Sequence, residues 1–148
     1  MNSLRVKDND LYVIEVNDEG ETIALSKSDV SLPLKYRKCV DDIEKIIKKL
    51  EKLNFNDEKK TGEELFDDDE FFKEYKSLAD CYDAMRKALD KFLGEGASQK
   101  IFGNHNWFSM FNDFFDAFEP HLIALGLSSE DSLRDAIEEK YSDKEEIL

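Results

Sequence analysis

The sequence predicts a mainly α-helical fold, in which an N-terminal β-hairpin precedes three long amphipathic helices and one short C-terminal helix. Three observations predict this small α+β bundle. Two runs rich in β-branched and aromatic residues flank a glycine-containing turn near the N-terminus. Apolar residues then recur every three or four positions through most of the chain. Proline or glycine stands at the ends of these periodic segments, where helices begin and end.

The composition is that of a folded, strongly acidic protein. The 148 residues include 21 lysines and arginines against 35 aspartates and glutamates, which gives a net charge of −14. The 11 Phe, 5 Tyr and 1 Trp are too many for a disordered acidic chain. This length suits a single domain. We expect residues 1–30 to form a hairpin segment that packs on a helical part, residues 31–148.

The hairpin is predicted from two strand-like runs. The first is Leu11–Val16 and the second is Thr22–Leu25, with the turn Asn17–Gly20 between them. A two-stranded hairpin alone is only marginally stable in water. We therefore expect it to pack against the helices or to pair with another chain.

The first helix is predicted from Pro33 to about Asn54, since proline suits the first helical turn. Its apolar stripe has the spacing 4, 3, 4, 3 and consists of Tyr36, Val40, Ile43, Ile47 and Leu50. Its outer face is basic, with a surplus of three positive charges. The basic residues are Lys35, Arg37, Lys38, Lys45, Lys48, Lys49 and Lys52, and the acidic ones are Asp41, Asp42, Glu44 and Glu51.

The second helix, at about residues 68–93, has the clearest periodicity in the chain. Its apolar residues keep the 4, 3 spacing over three heptads, which suits an intramolecular bundle as well as a dimer. Gly94 is expected to end this helix as a left-handed residue. Residues 94–106 are then expected to form a loop that contains three glycines and one apolar pair, Ile101 and Phe102.

The third helix is predicted to begin near Trp107 and to stop at Gly126. Pro120 lies inside it and is expected to kink or split it, because proline removes a helical hydrogen bond. The last, short helix is predicted to begin at Ser128 or Ser129, with acidic residues in its first turn.

No arrangement of residues predicts catalysis or a metal site. The two histidines, His105 and His121, are too few for the three or four ligands that a metal site usually needs. Cys39 and Cys81 have neither metal-ligand nor CxxC spacing, so we expect small core residues in a reducing compartment. We therefore expect no cofactor, no metal and no enzymatic activity.

Partners other than proteins are also disfavoured. The turn around Gly94 and Gly96, followed by Lys100, lacks the phosphate-loop pattern and follows a helix instead of a strand. The acidic balance disfavours nucleic acid, whose binding depends on lysine and arginine. No apolar run approaches the ~20 residues that span a bilayer. The N-terminus has no apolar segment typical of secretion, so we expect a cytoplasmic protein.

The aromatic residues of 107–118 allow two interpretations. Trp107 and Phe108 are adjacent, as are Phe114 and Phe115, and adjacent helical residues point about 100° apart. Either this helix is central and buried on most sides, or part of its aromatic surface is exposed and marks a protein partner. The same alternatives apply to the pair Ile101 and Phe102.

One segment of the sequence is similar to a known protein family, and this similarity implies a function. Residues 92–104 read FLGEGASQKIFGN, in which a helix ends in a GEG turn and an IFG turn leads to an aromatic helix. This segment, together with the preceding tyrosine-rich helix and the acidic helical tail, resembles the tail assembly chaperones of phages and prophages of Gram-positive bacteria. The resemblance covers about residues 68–125.

The resemblance implies a non-enzymatic protein of the bacterial host cytoplasm, absent from the mature virion. Such chaperones bind the tape measure protein, keep it soluble, and release it as tail tube subunits polymerise around it. We expect the partner contacts at Ile101, Phe102, Trp107 and Phe108. We expect Gly94, Gly96 and Gly103 to shape the loop that presents them.

Two other functions use the same features. An acidic regulatory protein, either a DNA mimic or an inhibitor of a basic partner, would use the negative charge. The basic face of the first helix weakens this alternative. A structural tail component would use the hairpin to donate strands to a neighbouring sheet.

Overall fold

A computed structural model describes residues 1–53 and 69–127 of the chain. The predicted fold class is confirmed, since a two-stranded antiparallel hairpin precedes a set of helices. The strands are β1 (Leu11–Glu15) and β2 (Thr22–Ser26), and the helices are α1 (Leu32–Glu51), α2 (Asp69–Leu93), α3 (Ala97–Phe102) and α4 (Met110–Leu125). The short helix predicted from residue 128 onward lies outside the described residues.

The hairpin has one buried and one exposed face, as the alternation of its side chains requires. Ile14 pairs with Ile23, and both are buried, whereas Val13 pairs with Ala24 on the exposed face. The Asn17 carboxamide oxygen accepts hydrogen bonds from two turn amides, those of residues 19 and 21, each at 3.1 Å. These two local hydrogen bonds explain why the chain reverses here.

Three polar contacts fix the hairpin on the helices. The Tyr12 hydroxyl and His121 Nδ1 are 2.8 Å apart, which links β1 to α4. Asn17 Nδ2 donates to the carbonyl of Lys100 in α3 at 3.0 Å, and Lys100 Nζ donates to the carbonyl of Thr22 at 3.2 Å. These bonds and the buried Ile23 stabilise a hairpin that would be marginal alone.

Helix α2 lies at the centre of the core. The Tyr36 ring, near the start of α1, contacts the Phe92 ring, near the end of α2, with centroids 5.4 Å apart. These two helices are therefore antiparallel, as amphipathic neighbours in a bundle commonly are. The buried residues of α2 are Tyr82, Met85, Ala88, Leu89, Phe92 and Leu93.

The expectation that residues 94–106 form only a loop is wrong. Residues Ala97–Phe102 form the short helix α3, which Gly96 precedes and Gly103 follows. The amide of Ser98 donates to Asp90 Oδ1 of α2 at 2.7 Å, so a carboxylate from the preceding helix satisfies a free amide at the start of α3. This contact depends on folded geometry, which the glycine content of the segment does not reveal.

Helix α4 begins at Met110, three residues later than predicted, and continues through Pro120 without a break. Proline has no amide hydrogen to donate, so the carbonyl one turn before Pro120 has no helical partner. Pro120 is exposed, and this carbonyl can therefore bond to water. Aromatic rings hold the opposite face of the helix, including Phe118, which packs on Phe92 at 5.9 Å. The helix stops at Gly126 as predicted, and the amide of Leu127 donates to the carbonyl of Leu122 at 2.7 Å.

Candidate protein-binding site

The loop between α3 and α4 is held against α2 by one arginine. Arg86 lies on α2 and donates three hydrogen bonds across to this loop. Its Nε reaches Asn106 Oδ1 at 2.8 Å, its Nη1 reaches the carbonyl of Gly103 at 3.0 Å, and its Nη2 reaches the carbonyl of His105 at 3.0 Å. The rigid guanidinium can satisfy all three acceptors at once because its donors are fixed in one plane.

The next residues of the loop are held by separate bonds. The Tyr82 hydroxyl donates to the carbonyl of Phe108 at 3.2 Å. Burial raises the pKa of Tyr82, so its hydroxyl keeps the proton that it donates. Asp113 Oδ2 accepts from Trp107 Nε1 at 3.1 Å and from Ser109 Oγ at 2.9 Å. Residues 107, 108 and 109 therefore each have a hydrogen-bond partner that limits their motion.

Phe102 lies beneath this loop and is buried, with 6% of its surface exposed. Its ring contacts Phe111 at 5.1 Å, Trp107 at 5.7 Å and Phe114 at 6.2 Å between centroids. The Arg86 guanidinium lies 5.5 Å from the centroid of the same ring. Of the four predicted contact residues, Phe102 thus has a different position from the others, since it supports the loop from inside.

The other three predicted contact residues are at least partly exposed, and we call them the aromatic corner: Ile101, Trp107 and Phe108. Phe108 is 76% exposed, while Ile101 and Trp107 are half-buried. An exposed phenylalanine on a backbone with restrained motion loses little conformational entropy when it binds a partner. Phe108 therefore combines an exposed ring with a restrained backbone.

The aromatic residues of 107–118 divide between the core and the surface. Phe111, Phe114 and Phe118 are buried in the core, and the Phe114 and Phe118 rings stack at 5.1 Å. Phe108 remains outside that core. The helix therefore begins after the exposed phenylalanine, which belongs to the loop and not to the helical face.

The three predicted glycines all have positive φ angles, of 115° at Gly94, 81° at Gly96 and 75° at Gly103. Gly94 and Gly96 reverse the chain between α2 and α3, and Gly103 turns it out of α3 towards the aromatic corner. Gly103 also has ψ of −151°, a combination that is essentially restricted to glycine. The positive φ angles turn the backbone at these three positions, and the carbonyl of Gly103 is one acceptor for Arg86.

Sequence analysis missed Arg86, Tyr82 and Asp113 as the residues that hold the loop. One signal was present, because Arg86 follows Tyr82 by four residues and so lies beside it on the same side of the helix. An arginine beside an apolar stripe commonly packs its aliphatic stem on apolar surface, while its guanidinium is placed to bind polar groups nearby. Two of its three acceptors are backbone carbonyls, which the sequence does not mark.

The described residues contain no cluster of three or more His, Cys, Asp or Glu side chains that could hold a metal ion. Residue His121 bonds to Tyr12, and the His105 ring lies 5.2 Å from the Trp107 ring. Cys39 is buried, as predicted, and burial raises the pKa of its thiol to about 12. Cys81, which was also expected in the core, is only half-buried. Across residues 1–53 and 69–127, none of the helices has the length and apolar character needed to cross a membrane.

No protein-family model, no curated protein and no solved structure matches the chain. The interpretation of the aromatic corner therefore depends on the geometry of its own residues and on the sequence pattern of residues 92–104.

Proposed function

We propose that the protein is a phage tail assembly chaperone that binds the tape measure protein and keeps it soluble during tail tube assembly. It acts without catalysis, in the host cytoplasm, and leaves before the virion is complete. One observation carries the proposal. Phe108 is 76% exposed on a loop whose backbone Arg86 and Tyr82 hold in place.

The aromatic corner supports binding of an apolar helical client. Phe108 offers an exposed ring, and Ile101 and Trp107, which both precede it in the sequence, add half-buried apolar side chains. A client helix that inserts its apolar face here would remove all three from water. Large aromatic anchors of this kind commonly dominate the energy of protein interfaces.

The charge of the chain supports the second part of the proposed function, which is to keep the client soluble. A net charge of −14 makes complexes of chaperone and client repel one another. An apolar client would otherwise associate with other copies of itself. The protein therefore combines one apolar contact with an acidic surface that opposes aggregation.

Co-expression with the tape measure protein encoded in the same tail module tests the proposal. We expect the wild-type chain to keep the client in the soluble fraction and Phe108→Asp to lose most of this effect, because a carboxylate cannot enter an apolar contact without a large desolvation cost. Phe108→Ala should lose part of it. The measurement is the soluble fraction of the client and its co-purification with the chaperone.

Ile123→Asp is the matched control, because Ile123 is 64% exposed on α4 and carries the same kind of substitution away from the corner. We expect this variant to behave as wild type. Equal co-purification by folded Phe108→Asp and by wild type would remove the aromatic corner as the client site. A client that is equally soluble without the chain would overturn the chaperone function itself.

A structural tail component is a second candidate, which the hairpin favours. Leu11 and Val13 are 55% and 59% exposed on its outer face, an apolar surface that a neighbouring sheet could cover. The chaperone proposal places the protein outside finished particles, whereas a structural component remains in them. Mass spectrometry of purified virions separates the two functions.

A further inference from the structure

One flank of α1 carries an unusual concentration of lysines. At about 100° per residue, five lysines fall within an arc of about 100° of this helix. These residues, which we call the lysine flank, are Lys35, Lys38, Lys45, Lys49 and Lys52, where Lys52 is the residue that caps the helix C-terminus. All five are exposed, and they extend along about 26 Å of the helix.

The flank is locally cationic in a strongly anionic protein. Asp42 is the only carboxylate within the same arc, so the flank has a charge of +4, which leaves −18 for the rest of the chain. The remaining charged residues of α1 lie on the opposite flank or on the outer crest, where acidic ones predominate: Arg37, Asp41, Glu44, Lys48 and Glu51. The basic surplus noted in the sequence is therefore concentrated on one side of the helix.

Within residues 1–53 and 69–127, only two of the five lysines have an ion-pair partner. Lys35 pairs with Asp29, and Lys38 pairs with Asp42, each with 3.4 Å between nitrogen and oxygen. Among the residues that the structure describes, Lys45, Lys49 and Lys52 form no ion pair. Three adjacent lysines, spaced by four and three residues, therefore present unneutralised charge along one line.

We propose that the lysine flank binds an acidic amphipathic helix of a partner protein, which lies along α1. A helix with carboxylates at the same four- and three-residue spacing would place one opposite each unpaired lysine. Leu34 is 71% exposed and lies on the same flank near the start of α1, so an apolar residue of the partner fits that end. Charge complementarity of this kind sets orientation and partner choice.

The charge distribution favours a short acidic helix over other anions. A DNA duplex or an anionic membrane is larger than the flank and would bring its charge near the −18 of the remaining chain. The flank also lacks the interleaved aromatic side chains that stack on exposed bases. An acidic helix about 20 residues long covers the flank and little else.

A synthetic helical peptide of about 20 residues, with glutamates along one face and one leucine near its end, is the probe. We expect fluorescence anisotropy to show that Lys45→Glu/Lys49→Glu/Lys52→Glu weakens binding at least about tenfold, since three attractions become repulsions. Binding by wild type should fall as salt rises from about 0.05 to 0.3 M, because screening weakens exposed ion pairs. The same peptide with glutamine in place of glutamate should not bind.

The matched control is Lys76→Glu/Lys87→Glu/Lys91→Glu, which makes the same change of charge at three exposed lysines of α2. We expect it to bind the peptide within about twofold of wild type, as should Phe108→Asp, which alters only the aromatic corner. Circular dichroism checks that the variants fold, and Lys45→Gln/Lys49→Gln/Lys52→Gln replaces the α1 triple variant if that variant does not fold. Three outcomes overturn the proposal: equal losses in both triple variants, no loss in the α1 triple variant, or tighter binding of a duplex oligonucleotide or of phosphatidylserine vesicles than of the glutamate peptide.

Discussion

At the scale of single residues, a few side chains determine the shape of the loop between α3 and α4. Arg86 bonds to three acceptors spread over residues 103–106, and Tyr82 bonds to the next exposed position. Both come from α2, whose Met85 and Leu89 are almost wholly buried. The loop is thus fixed to a deeply buried helix, which explains how an exposed phenylalanine can be held in one position.

Arg86→Lys tests this fixation. Lysine is a point charge that cannot reproduce the planar fork, so at least two of the three hydrogen bonds are lost. We expect the free energy of unfolding to fall by about 2 kcal/mol and amide exchange in residues 103–109 to accelerate. Urea titration and hydrogen-exchange mass spectrometry measure the two effects.

Lys87→Ala is the control for Arg86→Lys, because Lys87 is the exposed neighbour on the same helix. We expect it to change the free energy of unfolding by less than about 0.5 kcal/mol. Unchanged exchange in the loop of Arg86→Lys would show that the arginine does not restrain it.

Buried ionisable groups give the protein an alkaline limit of stability. The folded pKa of Cys39 is about 12 against an ordinary value of 9.0, and burial also raises the pKa of Tyr36 and Tyr82. A group whose pKa is raised by folding stabilises the fold fully below its unfolded pKa and loses that effect as pH rises towards the folded value. For Cys39, the loss falls between about pH 9 and about pH 12.

We therefore expect the free energy of unfolding to decrease as pH rises above 9, and to decrease less steeply in Cys39→Ala. Urea titrations at a series of pH values measure the slope. Cys81→Ala, at the half-buried cysteine, is the control variant. Identical slopes in wild type and Cys39→Ala would show that the thiol does not contribute to the alkaline loss.

At the scale of helices and strands, the periodicity of apolar residues predicted the positions of the elements better than the composition of each segment did. The 4, 3 spacing located α1 and α2 to within about three residues at each end, and the alternation of strand residues located the hairpin. Helix α3 was missed because its stabilising contact comes from Asp90, outside the segment. Pro120 does not split α4, because the packing of Phe118 and its neighbours outweighs one absent hydrogen bond.

Two glycines follow the ends of helices, and substitutions there measure the free-energy cost of an unfavourable backbone conformation without a steric clash. Open space surrounds Gly103 and Gly126, so an added methyl group would meet no neighbour. Gly126 has φ of 76° and ψ of 24°, which other residues can adopt at some cost, whereas Gly103 has φ of 75° and ψ of −151°, which is essentially restricted to glycine.

We expect Gly126→Ala to lower the free energy of unfolding by about 1 kcal/mol. Gly103→Ala should lower it by about 1 to 3 kcal/mol more and should disturb the adjacent aromatic corner. Thermal melting and client binding measure the two consequences. Equal stability loss in both variants would contradict the conformational distinction.

At the scale of the whole molecule, the described surface contains regions of different chemistry. The acidic majority opposes aggregation, the aromatic corner offers an apolar contact, and the lysine flank offers a local positive charge. The sequence predicted the exposed Phe108 only as one of two alternatives, since adjacent aromatic residues do not reveal which one enters the core. The lysine flank required the helix bounds and the local ion pairs to be known.

The most direct test of the central claim is photo-crosslinking from the aromatic corner in cells that assemble tails. A photoreactive phenylalanine analogue would replace Phe108 in one strain and Ile123, also exposed, in another. We predict a crosslink from position 108 to the tape measure protein, identified by mass spectrometry, and none from position 123. A crosslink to the tape measure protein from position 123 but not from position 108 would contradict the account.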